Sequence, residues 1–121
     1  MTQTVYLFGA STVAPEHYHP APERRLQGNP QLTVWPHYSD PSGQFSVGEW
    51  QGEVGSWRVQ YTEEEFCQII EGVSTITADD GSAVTVRTGD RFVIPAGFQG
   101  TWQVLARTRK TYVVYERKAT D

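Results

Sequence analysis

The chain is poor in the features that covalently braced or membrane-spanning folds need. It has a single cysteine, Cys67, in 121 residues, so no intrachain disulfide can form and a secreted scaffold gains no support. No stretch approaches the ~20 apolar residues that cross a bilayer as a helix. The opening MTQTVYLFGASTVAP has only a short apolar run and lacks the basic start of a signal peptide. A cytoplasmic protein with no membrane partner is the expectation. Positive charge is not in excess either. The net charge is −4 and the pI about 5.3, which excludes a general nucleic-acid binder.

What the chain does have is aromatic residues: four Trp, six Tyr and five Phe. With 38% hydrophobic residues there is enough material for one core, and the length suits one domain. Half the basic residues fall after position 106 (Arg107, Arg109, Lys110, Arg117 and Lys118). They read as a solvated outer face of the last strands, or as an anion-binding edge.

Residues 1–31 differ from the rest. After a strand candidate, TVYLF at 4–8, comes a proline-rich stretch that reads as an irregular arm. Within it lies EHYHPAPE at 16–23, whose His17, His19 and Glu23 have spacing that a metal site on a strand could use. From Leu32 the period is that of strands. The candidates are LTVW (32–35), 45–54, SWRVQY (56–61), VSTITA (73–78), AVTVRT (83–88), RFVIP (91–95), TWQVLA (101–106) and TYVVYE (111–116). Many short strands divided by glycine-bearing turns predict an all-β sandwich or barrel over 32–121.

One segment reads two ways. TEEEFCQIIEG (62–72) could be a capped helix closed by Gly72. As a strand it would put Glu65, Cys67 and Ile69 on one face, with Phe66, Gln68 and Ile70 on the other.

GSWRVQYTEEEFCQIIEG (55–72) and GDRFVIPAGFQGTW (89–102) resemble the two motifs of the cupin superfamily. Gly55, Glu65 and Gly72 carry the first, and Gly89, Pro95 and Gly97 the second. EEFCQIIEG, PAGFQGTW and TRKTY (108–112) are similar to small single-domain cupins of the ureidoglycine aminohydrolase and ethanolamine-utilisation group. The resemblance implies a jelly-roll β-barrel (RmlC-like), usually a homodimer, and it favours the strand reading of 62–72.

Metal cupins draw two histidines and a glutamate from the first motif and a histidine from the second. Glu65 fills the glutamate slot here. The first two histidine slots hold Arg58 and Gln60, or Val59 and Tyr61, depending on a spacing that varies by one residue. The last holds Gly100. No metal and no other cofactor is therefore expected. The expected pocket contains Arg58, Gln60, Tyr61, Glu65, Cys67 and Trp102, with Arg58 pairing Glu65 or clamping an anion. Its ligand would be a small polar metabolite such as a carboxylate, a ureide or a sugar-like compound. Glu65 is the candidate acid or base should the protein be an enzyme, a hydrolase, isomerase or lyase. A structural dimer with a filled barrel is the remaining reading. Cys67 reads as a small buried hydrophobe, and Lys110 as structural. EHYHPAPE reads as a decoy, unless the arm folds over a barrel mouth and brings His17 and His19 to Glu65.

Overall fold

The computed structural model describes residues 3–9 and 13–118. Nine strands follow one another: β1 (Glu16–Tyr18), β2 (Arg25–Gln27), β3 (Leu32–Ser39), β4 (Phe45–Gly52), β5 (Gly55–Gln60), β6 (Glu64–Ala78), β7 (Ala83–Arg87), β8 (Arg91–Ile94) and β9 (Gln99–Tyr115). Among the described residues the only helical piece is a 3-10 turn at Pro22–Arg24. The sheet runs β1-β3-β4-β9-β5-β2, and β6 pairs with β9 while carrying β7 and β8. Every pairing is antiparallel. This is the curled, two-sided sheet of a jelly roll.

The long partners β6 and β9 organise it. Residues 62–72 are not a helix: β6 begins at Glu64 and runs straight through them. Alternation decides the matter, because Glu65, Cys67 and Ile69 are buried while Phe66, Gln68 and Ile70 stand outside. VSTITA is the second half of the same strand. Gly72 makes the join, with φ of +101° and a register slip around it. A Cβ there would run into the carbonyl of Arg107, so only glycine fits this kink. TWQVLA and TYVVYE likewise merge into β9, across a basic stretch that reads as an interruption in the sequence.

The core holds Trp50, Trp57, Ile69, Ile76, Ile94, Trp102 and Val104. Its polar members are satisfied: Trp102 Nε1 donates to Ser74 Oγ at 3.1 Å, and Ser74 and Thr108 hydroxyls meet at 2.6 Å. The segment TVYLF at 4–8 forms no strand. It lies against β3 through rings, Tyr6 on Tyr38 at 4.9 Å and Phe8 stacked on His37 at 4.8 Å. Its alternate residues, Val5 and Leu7, are 95% and 90% exposed. The rest of the arm is tied down. β1 pairs with β3 and β2 with β5.

Candidate functional site

The inner face of β9 is built by alternation. Trp102, Val104, Thr108 and Lys110 are all buried, and Tyr112 packs beside them. Register places Cys67 of β6 opposite Tyr112, and Ile69 opposite Lys110. The side chains of Glu65 and Lys110 therefore meet inside the barrel. Lys110 Nζ donates to Glu65 Oε2 at 2.6 Å, and the two side chains are only 5% and 10% exposed. The Cys67 thiol donates to the same oxygen at 3.1 Å. The ammonium also lies over the ring of Trp102 at 4.4 Å and of Trp50 at 5.0 Å.

Burial alone would disfavour the Lys110 charge. The attraction of Glu65, with smaller contributions from Tyr61 and Cys67, outweighs it and raises the lysine pKa above its ordinary value. Burial pushes the Cys67 thiol up to about 12 and raises the Tyr61 hydroxyl as well. Lys110 is therefore a fixed ammonium, and Cys67 a thiol rather than a thiolate.

A cavity of about 540 Å³ opens over this pair, bordered by Tyr18, Trp50, Tyr61, Glu65, Trp102 and Lys110 among others. Glu65 borders the cavity, and its Oε1 has no protein donor among the described residues. The arm takes part. Trp50 Nε1 donates to the Tyr18 hydroxyl at 3.0 Å, which brings β1 to the cavity wall.

Two expectations need correcting. Arg58 does not pair with Glu65. It makes a two-pronged bond to Asp79, at 2.7 and 3.1 Å, on the outside. The reason is parity. Trp57 pairs with Trp102 across β5 and β9, and both are buried. The inward residues of β5 are therefore Trp57 and Val59, continued by Tyr61, while Gln60 is exposed. Arg58 and Gln60 nonetheless both border the cavity. Second, Lys110 is not one of a solvated basic set. It is the buried cation of the site, 5% exposed, whereas Arg24 and Arg58 also border the cavity. The arm, for its part, reaches the cavity but brings no histidine pair to Glu65, in keeping with a decoy. His17 bonds Thr33 Oγ1 and His19 bonds the Pro30 carbonyl, each at 3.0 Å. Only His19 borders the cavity, and Glu23 is exposed.

The donor set does not suit a transition metal. Among the described residues no group of three His, Cys, Asp or Glu comes together. A cation already sits on Glu65 in the form of Lys110. Gly100, at the slot of the last histidine, has no room for a side chain, because a Cβ would run into the Thr77 carbonyl.

Comparison with solved structures bears on the fold. A DUF861-family protein of unknown function from Pseudomonas syringae superposes with a TM-score of 0.77 at 24% identity, over 87% of this chain and 45% of that one. The chain thus spans about half of that relative. The Clostridium difficile EutQ protein gives 0.66 at 22% identity, over 79% of each chain. A DUF861-family protein from Thermotoga maritima gives 0.52 at 34% identity, over 53% of this chain and 73% of that one. No curated protein matches the chain. The EutQ-like cupin domain family matches residues 39–112, a span that runs from the end of β3 through Glu65 and Lys110 to Tyr112, and the chain belongs to that family.

Proposed function

We propose that this small cupin binds a polar metabolite in the cavity above Glu65 and Lys110, without a transition metal. The observation that carries the reading is the buried ion pair itself. A carboxylate and an ammonium facing an open cavity of about 540 Å³ between aromatic walls are the floor of a binding site rather than of a packed core. The pair presents an acceptor and a donor side by side. A carboxylate, a ureide or a sugar-like compound would satisfy both, with Trp50 and Trp102 flanking its apolar part.

A thermal-shift screen of small carboxylates, ureides and sugars tests this. At least one class should raise the melting temperature of the wild type, and Glu65→Gln should weaken that rise. No stabilising compound in any class would overturn the binding reading. Elemental analysis of protein purified without chelators tests the second half, and near-stoichiometric Mn, Fe, Ni or Zn would overturn it. We further propose that two copies pair. Val5 and Leu7, 95% and 90% exposed on an unpaired segment, are apolar surface that a second copy would cover. Sedimentation equilibrium should report a dimer, and a Val5→Asp/Leu7→Asp variant a monomer.

A further inference from the structure

The floor of the cavity has more hydrogen-bond donors than acceptors, and the surplus defines a chemistry. Lys110 donates to Glu65 at 2.6 Å and lies beside the Cys67 sulfur, which leaves an ammonium N–H for the cavity. The Tyr18 hydroxyl receives the Trp50 indole and donates to no described protein group. The hydroxyls of Tyr61 and Tyr112 are likewise without a described acceptor, although both residues pack against the core and border the cavity. Against these donors stands Glu65 Oε1, the free half of a carboxylate whose other oxygen already receives Lys110 and Cys67.

Such a floor fits an oxygen that gains negative charge beside an atom that gives up a proton. We propose that the cavity is a proton-transfer site for small carbonyl compounds. Glu65 Oε1 takes the proton from the carbon next to the carbonyl, and Lys110 and the tyrosine hydroxyls hold the enolate oxygen. This rests on the binding reading above and goes beyond it. In the step, a C–H bond breaks and an O–H bond forms on Oε1. The C–H electron pair becomes the new C=C bond, and the carbonyl π pair moves to oxygen, where fixed donors stabilise it. Returning the proton to the same carbon gives exchange. Returning it to the neighbouring carbon of a hydroxy carbonyl, with a shift of the hydroxyl proton, gives isomerisation. No oxidant, reductant or metal is required.

Elimination supports the assignment of roles. Lys110 stays an ammonium because Glu65 lies 2.6 Å away, so it is no amine nucleophile. Cys67 is fully buried, its thiol donating to Glu65, so it does not attack. Glu63 also borders the cavity, but Glu65 is the carboxylate held against the buried ammonium, so base and oxyanion holder belong to one ion pair that addresses adjacent atoms of one ligand.

Pyruvate and dihydroxyacetone in D2O are the probes. Proton NMR follows loss of their exchangeable C–H signals, and saturation-transfer NMR follows binding. The wild type should accelerate exchange of at least one probe more than 10-fold over buffer. Glu65→Gln should abolish exchange while leaving binding detectable. Tyr61→Phe, a near-isosteric change that preserves the fold, should slow exchange several-fold at unchanged binding. A probe that binds but exchanges at the buffer rate overturns the proton-transfer proposal and leaves the binding reading standing. So does binding of lactate or a ureide with no binding of either probe. Binding of no compound at all overturns both.

Discussion

Replacing Lys110 by methionine is the sharpest test of the site as drawn. Methionine keeps an unbranched stem against Trp50 and Trp102 and removes only the ammonium, so the change is electrostatic before it is steric. The Glu65 carboxylate would then keep one partner, the Cys67 thiol, in a place where its side chain is 10% exposed. Removing one partner of a buried pair costs about 3–5 kcal/mol, because the other charge is left uncompensated. For a chain of this size 1 kcal/mol moves the melting temperature by about 4 °C, so Lys110→Met should melt about 12–20 °C below the wild type near pH 8. Adding Glu65→Gln removes the stranded charge and should recover most of the loss, since neutral replacement of a buried pair is often tolerated. Scanning calorimetry of both variants at pH 8 is sufficient. A Lys110→Met protein that melts within about 3 °C of the wild type at pH 8 would refute the buried pair, as would a double variant no more stable than the single one.

Four further outcomes follow from the same geometry. Folded-state thiol and ammonium pKa values above their unfolded ones mean stability that is complete at neutral pH and is lost as pH rises. For Cys67 the loss should run from the ordinary thiol range to about 12, and Cys67→Ala should flatten chemical denaturation midpoints across that window. Gly100→Ala should cost about 1–3 kcal/mol by calorimetry, because the new methyl has to displace the Thr77 carbonyl between β9 and β6. Tyr18→Phe strands the Trp50 indole N–H, which is worth about 1–3 kcal/mol, and should speed amide exchange of Glu16–Tyr18 more than that of β6. Arg58→Ala should leave the melting temperature unchanged within error, because its partner Asp79 and its own guanidinium are in solvent.

The division between what the sequence shows and what it hides follows strand parity. Cys67, Ile69, Trp102 and Val104 are 0–1% exposed, on the faces that alternation assigns them. The barrel class follows from turn chemistry and strand period. The histidine slots could be placed in either of two registers, and in a strand a slip of one residue exchanges the two faces. Trp57 decides the register by packing opposite Trp102, information that resides in the pairing of β5 with β9 and not in either segment alone. Lys110 was within reach of the same rule. Stepping by twos from Trp102 gives Val104, Ala106, Thr108, Lys110 and Tyr112. The step is hidden because Arg107, Arg109 and Lys110 read as a solvated interruption, whereas β9 runs unbroken to Tyr115. The segment at 4–8 failed differently. Its pattern is that of a strand, but no edge in the described sheet receives it.

An inward carboxylate in a barrel needs a counter-charge, and the choice of counter-charge sets the chemistry. A divalent metal would bring vacant coordination positions and an acidified water. An ammonium brings a single charge and three directional donors, with nothing to exchange. The three changes that separate this chain from the metal-binding pattern are mutually consistent. The inward first-motif slots carry Val59 and Tyr61, which are wall residues. The last slot, Gly100, is closed by the backbone of the neighbouring strand. Lys110 then reaches Glu65 from a position further along β9 at which the metal pattern places no ligand. Returning a histidine to any single slot would not recreate a metal site, since the ammonium would still occupy the carboxylate. On the proposed reading, the chemistry of this cavity is recognition of oxygen acceptors and movement of protons, the range that Glu65, Lys110 and the surrounding tyrosines can serve.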